Sequence, residues 1–209
     1  LVDQHRDAAA AGGGDPYTHT RIGITSLSPF AVLGADFEQL IQILGQIIWR
    51  GDGFTGVKDA QVDATGDLNG TAITDMSGNY SLSDLSGQGD VTITPTKTIN
   101  LLNGVDVGDA LAIQQHLTAI NTVSDPYTQI AMDVNTDNKI STLDALIIGQ
   151  TLLGNPAALS NFKRSWRFVP QAYTLSLPPW GFPEQIALTG VMANQTDQDF
   201  YGVKIGDVV

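Results

Sequence analysis

Residues 133–144 read DVNTDNKISTLD. Oxygen-bearing side chains fall at the first, third, fifth, ninth and twelfth places of this run, on Asp133, Asn135, Asp137, Ser141 and Asp144. Lys139, in the seventh place, needs to supply only its main-chain carbonyl. Ca²⁺ is a hard cation that takes roughly six to eight oxygens, and this spacing wraps a twelve-residue loop around one ion. Asp and Asn at alternate places also occur in ordinary turns, because both tolerate tight backbone geometry. A plain turn does not explain why Asp144 then opens an apolar helical run.

The loop departs from the EF-hand pattern at two places. Position twelve is Asp144 instead of Glu, and position six is Asn138 instead of Gly. Asn also enters the left-handed conformation that a sharp turn needs. The shorter Asp requires the following helix to sit closer to the ion.

That helix occurs twice. Asp109-Ala110-Leu111-Ala112-Ile113 parallels Asp144-Ala145-Leu146-Ile147-Ile148, 35 residues later. Both copies place apolar residues at helical spacing, which suits two helices packing on each other. A duplicated loop–helix unit closed by Asp in each copy resembles the type I dockerin of bacterial extracellular complexes, over about residues 98–154. The resemblance implies calcium and a cohesin-like protein partner. The first copy is degraded. Counting back from Asp109, Asn100 and Asp106 retain side-chain oxygens and Gly104 a carbonyl. Thr98 stands at the first place and Leu102 at the fifth. One Ca²⁺ is expected in the second loop. For the first loop two readings stay open: a weak site through Asn100, Gly104, Asp106 and Asp109, or one completed from elsewhere in the chain, against a loop that keeps its shape without metal.

Composition agrees with cation chemistry in loops. Of the 22 acidic residues only Glu38 and Glu184 are Glu. Glu is the better helix former, so an Asp-rich balance points to turns and cation sites. A net charge of −12 argues against nucleic acid and against anionic membrane surfaces. There is no Cys, so disulfides and thiolate metal sites are excluded. A secreted chain without disulfides can be stapled by metal instead. Phe30–Trp49 approaches the length that spans a bilayer, but Asp36, Glu38 and three Gln argue against a transmembrane segment.

Residues 40–97 read as β structure. Leu40–Arg50 is expected as a core strand, with a helix over Phe37–Ile48 as the alternative. Thr71–Asp75, Tyr80–Leu85 and Val91–Thr94 are short strands between turns at Gly66–Gly70, Ser77–Asn79 and Gly87–Asp90, which argues for an antiparallel sandwich. The run Thr74–Leu82 followed by Asp84-Leu85 and Val91–Pro95 resembles carboxypeptidase-regulatory-like or collagen-adhesin B-type domains. Those are small sandwiches of the transthyretin or Ig-like kind that serve as stalks and spacers. The fold class expected is therefore mainly β with a small α part: a transthyretin/Ig-like antiparallel β-sandwich plus a dockerin-like paired loop–helix calcium unit. Four parts follow: an arm at 1–35, the sandwich at 36–97, the calcium unit at 98–156, and an aromatic segment at 157–209 that packs back on the sandwich. This order resembles modules of secreted surface proteins of Bacteroidetes-type bacteria.

Within 157–209, Arg167–Pro170 and Phe200–Ile205 read as strands, and the aromatics read as core more readily than as a sugar platform. In the arm, Ala8–Gly14 lacks anchoring side chains, whereas Thr20–Thr25 alternates. That pattern allows the arm either to add a strand to a neighbouring copy's sheet or to pair within its own subunit. Arg50-Gly51-Asp52 reads as a turn. His5, His19 and His116 have no metal-ligand spacing, and the pair Asp197/Asp199 flanks a strand. No nucleophile elbow or phosphate-binding loop occurs, so no catalysis is expected. The leading expectation is a non-catalytic, extracellular or cell-surface, calcium-stabilised structural subunit of an appendage or adhesin, polymerising head-to-tail by strand addition. The alternative is a dockerin that binds a cohesin and attaches a protein or carbohydrate-active enzyme to a complex.

Overall fold

The run IQILGQIIW buries Ile41, Ile43 and Ile47 while the residues between them stay half-exposed. That is a period of two, and Ile suits it because its branched Cβ is stiff and packs well on a pleated surface. In the computed structural model, which describes residues 39–51 and 53–209, the run is strand β1 (Ile41–Trp49), and the helical alternative falls away. The turn-punctuated stretch that follows gives β2 (Gln61–Gly66), β3 (Gly70–Ile73), β4 (Asn79–Leu85) and β5 (Gly89–Thr96). Gly78 shows why one of those turns needs glycine. Its φ is +78°, and a Cβ there would stand 2.1 Å from the Ile47 carbonyl oxygen.

Strand β5 runs through Pro95, where the sequence predicts its end. Proline belongs where a ladder partner is missing. The neighbouring strand β7 (Ile186–Val191) reaches only to the Ile93–Ile186 pair, so beyond it β5 is paired on one side only, with β2.

The 157–209 segment contributes β6 (Trp166–Pro170), β7 and β8 (Phe200–Lys204) as full members of the sheets. One sheet has the order β4-β1-β8-β6 and the other β3-β2-β5-β7. Among the described residues all strand pairs are antiparallel except β1 with β8, which corrects the expectation of a purely antiparallel arrangement. A parallel pair needs a long crossover, and here every helix of the described residues lies between the two strands in chain order. Ile41, Ile43, Leu82, Val62, Ile93, Phe168 and Phe200 form the core between the sheets.

Among the described residues the helices are α1 (Val107–Leu117), α2 (Pro126–Met132), α3 (Thr142–Leu152) and α4 (Pro156–Asn161). α1 and α3 are the two repeated helices. α2 and α4 each begin with an N-cap, Asp125 or Asn155, followed by Pro at the first helical position, where no amide is needed. Ile113, Ile130, Ile147 and Ile148 form a second core with Phe162 and Phe182. Strands β6 and β8 face both cores. Phe168 and Phe200 point to the sandwich, while Val169, Val203 and Ile205 point to the helices. The sheet thereby fixes the platform on which the paired loops stand. The proposed N-terminal arm lies outside the described residues.

Candidate metal centre in the paired loops

The second loop is closed by reciprocal capping. Ser141 caps α3, its hydroxyl accepting from the Leu143 amide at 3.2 Å. The Asp144 carboxylate accepts from the Ser141 amide at 2.8 Å. Its other oxygen accepts from the amides of Val134 at 2.9 Å and Asn135 at 3.4 Å. The twelfth position is thus tied to the second and third. Asp133 accepts from the amides of Asp137 at 3.0 Å and Asn138 at 2.9 Å, drawing the first position to the fifth and sixth. Asn138 takes φ of +64°, as its turn position requires. Asn135 bridges to Asp137 through a side-chain bond at 3.1 Å. Lys139 is exposed.

Asp133 and Asp144 are fully buried, and among the described residues neither forms an ion pair with Lys or Arg. Burial pushes both carboxyls up, Asp133 to about 6, against the opposing pull of the loop amides. Two buried carboxylates balanced by amide dipoles and the Ser141 hydroxyl, which donates to Asp144 at 3.0 Å, carry a desolvation cost that a cation offsets. Among the described residues no three Asp, Glu, His or Cys side chains gather tightly enough to hold an ion on their own. The oxygen set is mixed: carboxylates of Asp133, Asp137 and Asp144, the amide of Asn135, the hydroxyl of Ser141 and the carbonyl of Lys139. Hard, varied oxygen donors of this kind suit Ca²⁺.

In the first loop, Asp106 and Asp109 repeat the capping arrangement. The Asp109 carboxylate accepts from the Asp106 amide at 2.7 Å, and Asp106 accepts from the Gly108 amide at 2.6 Å. Asp109 is fully buried, like Asp144. Asn100 is exposed with φ of +55°, and Gly104 has φ of +82°. The residue that sequence reasoning passes over is Asp207. It lies against Gly104, close enough that a Cβ on Gly104 would stand 2.2 Å from its carboxylate oxygen. The only written signal is a short likeness between Asp133-Val134 and Asp207-Val208.

The other candidates are placed as structural residues. His116 accepts at Nδ1 from the Val123 amide at 3.0 Å. Asp199 accepts from the Gln46 amide at 2.7 Å, while Asp197 lies in the segment between β7 and β8 with φ of +61°. Arg50 and Gly51 lie in a turn bracketed by the Trp49–Thr55 hydrogen bond, and Asp52 is outside the described residues. Trp166 and Phe182 are core residues, while Tyr173 is exposed.

The family model of the type I dockerin domain matches residues 102–153, which span both repeated helices and the whole second loop. This part of the chain is similar to that family, whose members typically bind calcium and occur in extracellular proteins. No curated protein gives a significant match to the chain. Among the described residues no helix is long and apolar enough to cross a membrane.

Proposed function

We propose that this chain is a non-catalytic module that docks onto a cohesin-like protein through α1 and α3, with Ca²⁺ held by the second loop. One observation carries the reading. Both repeated helices leave a large apolar side chain in water at the equivalent place: Leu111 and Leu146 are 53% and 51% exposed, and each helix exposes a second one in its first turn, Val107 in α1 and Leu143 in α3. Apolar side chains clustered on a soluble surface mark interaction sites. The inward sides of the same helices carry Ile113 and Ile148, so the outward leucines are not needed for folding.

Ca²⁺ would be held by Asp133, Asn135, Asp137, Lys139, Ser141 and Asp144. It supplies positive charge to the buried carboxylates and fixes the start of α3. At loop positions ten and eleven the copies differ, Val107-Gly108 against Thr142-Leu143. Unlike pairs favour one binding orientation over two. The sandwich then serves as a spacer of the transthyretin/Ig-like kind, and an extracellular setting, where calcium is plentiful enough for modules with a Kd of roughly 0.1–1 mM, suits the loop.

Capture of cohesins by the purified protein tests this. Binding is expected in calcium, and is expected to disappear with Leu111→Asp plus Leu146→Asp while thermal unfolding stays unchanged. Retention of full binding by that double variant overturns the docking face. The self-assembly reading depends on residues 1–35, which lie outside the described residues. Electron microscopy of the protein without partner distinguishes it, because filaments would favour strand addition over docking.

A further inference from the structure

The two loops close alike, but from different parts of the chain. In the second, the closing carboxylate of Asp144 takes the amides one and two residues beyond Asp133, at 2.9 and 3.4 Å. In the first, the closing carboxylate of Asp109 takes the amides one and two residues beyond Asp207, from Val208 at 2.7 Å and Val209 at 3.2 Å. The third bond also corresponds: Ser141 to Asp144 at 2.8 Å, Asp106 to Asp109 at 2.7 Å. Val134 and Val208, the second residues of the two segments, both pack into the helical core. Asp207–Val209 therefore stands where the second loop has Asp133–Asn135. Thr98, the residue at the first place by counting, is not needed there.

We propose that the first loop is a split calcium loop in which Asp207, about a hundred residues away in sequence, supplies the first-position carboxylate. Gly104, at the seventh position, lies directly against that carboxylate, and its lack of a Cβ is what admits it. Asp109 supplies the closing carboxylate, and Asp106 caps the helix as Ser141 does. A cleft lined in part by Gly104, Lys204 and Asp207 opens the place to solvent. Lys204 borders the same place. Its buried ammonium donates to the Leu101 and Ile205 carbonyls at 2.7 and 3.1 Å, and feels both Asp207 and Asp109. Lys204 therefore competes with the ion for the two carboxylates. The inference rests on the calcium reading of the family, and it is independent of the docking face.

Calorimetric titration of the calcium-stripped full chain with Ca²⁺ alone decides. Two ions are expected for the wild type, and one each for Asp207→Asn and Asp133→Asn. Asp207→Asn keeps size and shape, and far-UV circular dichroism together with the retained second-loop ion reports that it is folded. Lys204→Met is expected to tighten the ion lost in Asp207→Asn, which a purely structural Asp207 would not produce. One ion in the wild type, lost in Asp133→Asn, overturns the split loop and leaves the second site standing. Two ions in Asp207→Asn also overturn it. Cohesin capture, read separately, tells failure here from failure of the docking proposal.

Discussion

Asp133, Asp144 and Asp109 are three carboxylates with no exposed surface, each held by main-chain amides. Lys204 is their cationic counterpart in cost: burial lowers its ammonium from an ordinary 10.5 to about 8, with Asp207 and Asp109 opposing the shift. Between about pH 8 and 10.5 the unfolded chain therefore holds a proton that the folded chain has released. More protons on the unfolded state means that stability from this group rises with pH across that window, and is lost as pH falls through about 8. Urea unfolding at pH 7.5 and 9.5 should show a gain for the wild type relative to Lys204→Met; equal slopes would refute it. At this scale the second loop was legible because its donors are contiguous and regularly spaced. Asp207 was not, because its geometric neighbours Gly104 and Asp109 lie about a hundred residues away, and two shared residue types are too weak a signal to join them.

At the level of elements, the repeated helices were legible from one pattern written twice. Their inward and outward positions differ in consequence. Ile148→Ala empties a fully buried place and should cost about 2–5 kcal/mol in chemical denaturation. Leu146→Ala, at a side chain 51% exposed on the same helix, should stay within about 0.5 kcal/mol. Comparable losses at both places would refute the assignment of inner and outer faces. Helices α2 and α4, of seven and six residues, are too short to show a hydrophobic period, although Asp125-Pro126 and Asn155-Pro156 mark their starts. Strand β7 was missed because Ile186-Ala187-Leu188 is a brief alternation beside a Pro-rich stretch. Its existence depends on β5 as a neighbour more than on its own residues.

For residues 39–209 as a whole, two cores share two strands. Phe168 and Phe200 belong to one core, while Val169 and Val203, on the same strands, belong to the other. The helical region should not melt separately from the sheets. Calorimetry is expected to show one transition that calcium moves upward as a unit, by about 2.7 kcal/mol at a free concentration a hundredfold above Kd. A chelator that melts the helices first, with the sheets intact, would contradict this. The class of architecture was legible from strand spacing and Gly turns. The order of strands was not, since β8 takes its place beside β1 only after a crossover of well over a hundred residues, and no local pattern records such a return.

The parallel pairing of Ile47–Trp49 with Phe200–Gly202 also has a mechanical meaning. Tension applied between the chain entering β1 and the chain leaving β8 draws these strands lengthwise past each other, so their hydrogen bonds are loaded together and not unzipped in sequence. Single-molecule pulling between residues 39 and 209 should therefore meet a brittle, high-force rupture. Attachment across the β2–β3 hairpin should meet a softer, stepwise one.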